Sequence, residues 1–195
     1  MIELLPGMYA EASEGHIGWF EERQQKLREL ITELWPINLI EIGFHMGHSC
    51  KLICDTIVEL KQNNDTYKEQ EVNFYIFDIC YHEFIKENFR ILKNHYDTYN
   101  IKLNLIKGAS QKTVSPFIKD FDAIFDFIEV DGQHTEDATY KDIMDTYTKI
   151  REGGVLYIDD YSSTFTSEIN KAVVKVDLSG YMVDNIDGIL WGIKL

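Results

Sequence analysis

Three aspartates and a histidine in the C-terminal half are the residue types from which a cation site or a proton-transfer site is built: Asp131, His134 and the adjacent pair Asp159 and Asp160. Three carboxylates brought together repel one another unless they are protonated or neutralised by a cation. A hard divalent ion accepts oxygen ligands and keeps positions for water or substrate oxygens. The same residues have a plain structural reading, in which Asp131 opens a turn with Gly132 while Asp159 and Asp160 cap the next helix. Spacing alone leaves both open. His134, three residues past Asp131, carries an imidazole that exchanges a proton near neutral pH; its structural alternative is a hydrogen bond at a helix start.

A second group lies upstream. The segment Glu41-Ile42-Gly43-Phe44-His45-Met46-Gly47-His48-Ser49 places two glycines in a turn ahead of a helix. Glycines there let the backbone turn tightly and approach a ligand, with a helix N-terminus behind it. The segment lacks the three-glycine dinucleotide fingerprint and the Lys and Ser/Thr of a phosphate-binding loop. Asp78 closes the following apolar run, where a carboxylate can accept ribose hydroxyls; a helix cap is the alternative. For Glu41 the alternative is an ion-paired acid at the sheet edge. His16, His45, His48 and His82 are weaker candidates.

The elements that must position these groups follow from hydrophobic period. An amphipathic helix is predicted over Trp19 to Leu34, stopped by Trp35-Pro36, and a buried strand over Asn38 to Gly43. A helix from Gly47 to Leu60, a polar surface connection over 61–70 and a strand from Val72 to Asp78 come next. Then follow a helix over Glu83–His95, a strand over Ile101–Ile106 and a short helical segment near Thr113–Lys119. Ala123 to Val130 reads as a strand, Glu136 to Ile150 as a helix, Gly153 to Ile158 as a fifth strand, and Glu168 to Val176 as a helix. Two final runs, Gly180–Asp184 and Gly188–Leu195, flank Asn185-Ile186-Asp187 as an antiparallel hairpin. Five strands alternating with helices predict an α/β three-layer sandwich on a mostly parallel sheet.

The 195 residues suffice for one core, so a single domain over 1–195 is expected, with 1–35 as a lead segment and helix. Charged residues make up 27%, and 33 acids against 19 Lys and Arg give a net charge of −14, a surface that disfavours nucleic acid and acidic membranes as partners. Cys50, Cys54 and Cys80 cannot all pair, and no signal peptide or membrane span is visible, so a reduced, cytoplasmic setting is expected.

The ordered set Glu41-x-Gly43-x-x-x-Gly47-x-Ser49, Asp78, Val130-Asp-Gly-Gln-His134 and Leu156-Tyr-Ile-Asp-Asp160 resembles class I methyltransferases that use S-adenosylmethionine (SAM). Within them it is similar to the metal-dependent small-molecule O-methyltransferases, including the catechol type and the sugar-modifying enzymes of macrolide and aminocoumarin pathways. The resemblance covers roughly residues 38–195 and implies a Rossmann-like, seven-stranded sheet ending in the hairpin. It implies that Gly43, Phe44, His45 and Gly47 pass beneath the methionine part of SAM, that Glu41 orients the turn or the amino group, and that Ser49 also belongs to the cofactor-binding set. Asp78 would hold the ribose, and Ala109 and Ser110 would contact adenine. Asp131, Asp159 and Asp160 would hold a divalent cation, Mg²⁺ first among them, with Asp131 also next to the cofactor. His134 stands where the catechol type has a lysine base. The implied acceptor is a small hydroxylated molecule (a diol, a catechol or a sugar). Such relatives often form homodimers, and Tyr9 and Trp19 would help close the site or simply pack. Two other readings stay open: a catalytically inert SAM-binding or interaction module, and an NAD-dependent oxidoreductase.

Overall fold

A computed structural model describes residues 2–9, 20–121, 124–161 and 167–195. The elements run α1 (Glu21–Leu34), β1 (Asn38–Ile42), α2 (His48–Gln62), α3 (Asp65–Lys68), β2 (Val72–Asp78), α4 (Glu83–Asp97), β3 (Ile101–Lys107) and α5 (Ser110–Asp120). They continue with β4 (Phe125–Val130), α6 (Glu136–Thr146), β5 (Ile150–Ile158), α7 (Ser167–Val173), β6 (Tyr181–Ile186) and β7 (Ile189–Lys194). The strands form one sheet in the order β3-β2-β1-β4-β5-β7-β6, and only β7 runs antiparallel to its neighbours β5 and β6.

Alternation within each strand divides the core into two layers. Leu39, Phe74, Phe127 and Tyr157 pack toward Leu27 and Ile31 of α1, Ile53 and Ile57 of α2, and Leu92 and Tyr96 of α4. Ile40, Ile42, Ile128, Leu156 and Ile158 pack toward Val114 of α5, Ile143 of α6 and Ile169 of α7. The result is the three-layer α/β sandwich expected from the element order, with the sheet between the two helical layers.

Several boundaries differ from the expected ones. Helix α6 stops at Thr146, whose hydroxyl donates back to the Asp142 carbonyl at 2.7 Å, and a 3₁₀ turn over Tyr147–Lys149 follows. Ile150, expected to end that helix, opens β5 as the partner of Phe125, and the extra residues are absorbed where Gly153 adopts φ +71°. The register shifts there, as a bulge requires. Helix α5 begins at Ser110, ahead of its predicted start. The polar connection after α2 holds one turn of helix, α3, because Tyr67 is buried and its hydroxyl donates to the Pro36 carbonyl at 2.6 Å. The hairpin turns on Asp187 (φ +44°) and Gly188 (φ +85°), the Asp-Gly pair suited to a two-residue turn with both φ positive, rather than on Asn185–Asp187. Trp19, His16 and Ala123, named in the sequence reading, lie outside the described residues.

Candidate active site

In this strand order the chain reverses its direction of winding between β1 and β4, and crevices in open α/β sheets form at such points, beyond the carboxyl ends of the strands. The residues just past those ends still belong to the ladder. Gly43 N donates to Phe77 O at 2.8 Å, Asp131 N to Ile42 O at 2.8 Å, and Asp159 N to Val130 O at 3.2 Å. Their side chains and backbones therefore inherit the sheet's rigidity. They open onto a cavity of about 420 Å³ lined on one side by Gly43, His45 and Asp78, at its far end by Ala109 and Ser110, and on the other side by Asp131, His134, Asp159 and Asp160.

The cradle is built around glycine. Gly43 has φ +99°, and a Cβ there would lie 1.9 Å from the Asp131 carbonyl oxygen. No side chain fits, so backbone alone faces the cavity. Gly47, at φ +77°, caps the start of α2, with the Phe44 ring packed where its Cβ would be. Phe44, expected beneath the cofactor, is buried and does not line the cavity; its ring packs behind the turn. Asp78 holds the turn in place: its Oδ2 accepts from Phe44 N at 2.9 Å and His45 N at 3.1 Å, and its Oδ1 accepts from Cys80 N at 2.5 Å. Behind the cradle, fully buried Glu41 accepts a short hydrogen bond from the Ser49 hydroxyl, and burial pushes the Glu41 carboxyl well above the usual range. Glu41, Gly47 and Ser49 support the cradle from behind and do not line the cavity.

On the acidic side, one ligand-type atom from each of Asp131, His134 and Asp160 lies within 4.8 Å of the others. His134 Nε2 is 3.1 Å from Asp131 Oδ1, and Nδ1 is 3.8 Å from Asp160 Oδ2. The hydrogen bond to Asp131, with the charges of Asp160 and Asp159 behind it, pushes the His134 pKa up to about 9. Burial raises Asp131 while the imidazolium beside it pulls the carboxyl back. His134 is thus a protonated donor at neutral pH, and an imidazolium cannot accept a second proton.

Asp159 was expected beside Asp131 and Asp160 as a cation ligand, yet it does not join that converging set. It is 8% exposed, and its Oδ1 accepts from Arg23 Nη1 at 2.9 Å and from Asp160 N at 2.9 Å. Burial, then the charge of Asp131, raises the Asp159 pKa to about 7 against the pull of Arg23. Removing one member of a buried pair strands the other charge, at a typical cost of about 3–5 kcal/mol.

Sequence reasoning did not find Arg23, whose position on the polar side of an amphipathic helix reads as solvent-exposed. Ile79, Tyr81, Gln111 and Gln133 also line the cavity without having been singled out for it, as does His82, a weaker candidate in the sequence. Tyr9 reaches the wall only indirectly. Its ring stacks on Phe84 at 4.8 Å, Phe84 stacks on His82 at 4.9 Å, and Tyr9 N donates to Asn88 Oδ1 at 2.8 Å. Asn88 in turn donates to Met46 O at 3.0 Å, joining the lead segment to the cradle.

A search of the curated proteins found no significantly similar sequence. Among solved structures, the fold is similar to CalS11, the TDP-rhamnose 3′-O-methyltransferase of calicheamicin biosynthesis (TM-score 0.66, 15% identity, 87% of this chain and 76% of that one). It is also similar to the O-methyltransferase NovP (0.62, 15%, 89% and 79%) and to a Bacillus cereus O-methyltransferase solved with S-adenosylhomocysteine (0.64, 13%, 97% and 84%). Identities this low speak for a shared fold. Residues 40–161, more than half of the sequence and the stretch containing both the glycine cradle and the acidic group, match the family described as a methyltransferase domain, and the chain belongs to that family.

Proposed function

We propose that the protein transfers the methyl group of SAM to a hydroxyl of a small molecule, with a divalent cation held by Asp131, His134 and Asp160. The observation that carries this reading is the meeting of two groups in one cavity. Backbone at Gly43, which admits no Cβ, lies against the carbonyl of Asp131, the residue that opens the acidic group.

Bound SAM supplies a methyl group already activated on a sulfonium sulfur, so the protein's task is orientation. The turn from Gly43 to Gly47, which faces the cavity at Gly43 and His45, would hold the methionine part, and the Ser49–Glu41 hydrogen bond fixes the turn from behind. A carboxylate offers about four acceptor sites, of which Asp78 already spends three on backbone N–H groups. That leaves room for one ribose hydroxyl. Ala109 and Ser110 face the adenine end, with Ser110 Oγ held at 3.0 Å from Asp142 Oδ2.

Two carboxylates and an imidazole suit a divalent ion, with Mg²⁺ the first to test and Mn²⁺ accommodated by the nitrogen donor. Such an ion lowers the pKa of a hydroxyl that it touches and fixes its direction. As a ligand His134 would be held in its neutral form, because a coordinating imidazole is unprotonated. It therefore serves as a ligand rather than as the base. In the transfer the acceptor O–C bond would form as the S–C bond breaks, leaving S-adenosylhomocysteine and the methyl ether, with the hydroxyl proton passing to water. Vicinal hydroxyls fit two open positions on an ion, which favours a catechol or a sugar diol; CalS11, whose named acceptor is a sugar, has the same fold.

The test uses chelator-treated protein. Calorimetry with SAM should show micromolar binding without metal, and transfer to catechol or a sugar diol should appear on adding Mg²⁺. Absence of SAM binding would overturn the proposal as a whole. Transfer that persists in excess chelator would overturn its metal part.

A further inference from the structure

Arg23 is a cation built into the edge of an acidic site, contributed by a helix 136 residues away in sequence from the acid it pairs with. It is 5% exposed and held on every side. Nη1 lies 2.9 Å from Asp159 Oδ1 and 3.2 Å from Asp160 Oδ1, Nε donates to the Asp187 carbonyl at 2.6 Å, and the Phe20 ring centroid is 4.1 Å from Cζ. Asp159 Oδ1 accepts two hydrogen bonds, from Arg23 and from the Asp160 N–H. Asp160, by contrast, takes φ +55° and brings Oδ2 to 3.8 Å from His134.

We propose that Arg23 is a positioning residue that reserves Asp159 as its own counter-ion and keeps it out of the cation's ligand set, so that two neighbouring aspartates do different work. This builds on the metal reading above. Three carboxylates, one guanidinium and one divalent ion sum to zero charge, with His134 neutral as a ligand. The ion therefore needs no further acid, and Asp159 would have to break a buried ion pair to reach it. Arg23 also ties the site to α1 and to the β6–β7 turn, so the charge of the site is set from outside the segment that carries its ligands.

The experiment is a titration of the full chain with Mn²⁺ at pH 8, reading free Mn²⁺ by electron paramagnetic resonance, with circular dichroism as the check on folding. D159N, which keeps an acceptor oxygen toward Arg23, should bind Mn²⁺ within about tenfold of the wild type, the scale of one charge that does not touch the ion. D160N should lose binding. R23M should bind about tenfold more tightly, because a repelling charge is gone and Asp159 is released. R23M/D159N should return toward the wild-type value. A loss in D159N as complete as that in D160N would make Asp159 a ligand and overturn this proposal alone. An R23M protein that is folded but unchanged in affinity would overturn it as well. If the wild type did not bind Mn²⁺, the metal reading would fall and this proposal with it, whatever R23M did.

Discussion

Two tiers of acidic side chains stand one above the other on the same face of the sheet, and they behave as different chemical species. In the lower tier, Glu41 and Glu129 are register partners on β1 and β4, with Tyr157 beside Glu129 on β5. All three are essentially without solvent exposure, and Glu129 Oε2 and the Tyr157 hydroxyl have no hydrogen-bond partner among the described residues. Two residues further along the same strands, Asp131 and Asp159 reach the cavity. Burial drives the Glu129 and Glu41 carboxyls well above the usual carboxylate range, so the lower tier resists ionisation. In the upper tier burial also raises Asp131 and Asp159, but Arg23 and His134 stand beside them as counter-charges that favour the ionised form. A rise of about 7 Å along a strand thus separates carboxyls that only pack from carboxylates that can hold an ion.

The largest expected effect breaks the upper tier. D160N and H134A should each lower Mg²⁺-stimulated methyl transfer by about a hundredfold or more, from the loss of ion-based transition-state stabilisation. SAM affinity and melting temperature should stay near wild type. A comparable loss of SAM affinity would mean that the two halves of the cavity are not separable.

A smaller effect comes from the lower tier. The folded-state pKa of Glu129 is raised, so the folded chain holds more protons than the unfolded one above the unfolded pKa of about 4.3. Stability then falls as pH rises through neutrality, by up to about 1.4 kcal/mol per pH unit for this group. E129Q should remove that loss and gain on the wild type as pH goes from 5 to 8 in urea unfolding. Parallel pH profiles of the two proteins would show that Glu129 is ionised when folded.

The smallest effect sharpens the boundary between the tiers. Asp142 is fully buried like Glu129, but accepts a hydrogen bond from Ser110, and its pKa rises only to about 7. The cost of its ionisation builds between about pH 4 and pH 7 and is constant above. D142N should therefore flatten the stability profile below pH 7 and leave it unchanged from pH 7 to 9. A continued divergence above pH 7 would place Asp142 with the lower tier.

The parts of the site legible in sequence are those whose chemistry is local. Gly43 and Gly47 sit at the end of an apolar run, and a turn of that kind before a helix needs positive φ wherever it occurs. Asp78, Asp131 and the Asp159–Asp160 pair each end an apolar run, and parallel strands bring their ends to one edge of the sheet. Helix limits were less legible. Thr146 ends α6 through a hydrogen bond to its own helix, while Ile150 is recruited by Phe125 on another strand.

Sequence by itself therefore determined the alternation of strands and helices, the glycine cradle and the presence of acids at the strand ends, because periodicity and φ preference act over a few residues. Only the tertiary structure decided which acids stay charged and what each one faces. Glu129 is neutralised by depth, Asp159 is taken by Arg23 from the other end of the chain, and Asp160 turns toward His134. Charge and solvation depend on every group packed within several ångströms, and adjacency in sequence does not fix that neighbourhood.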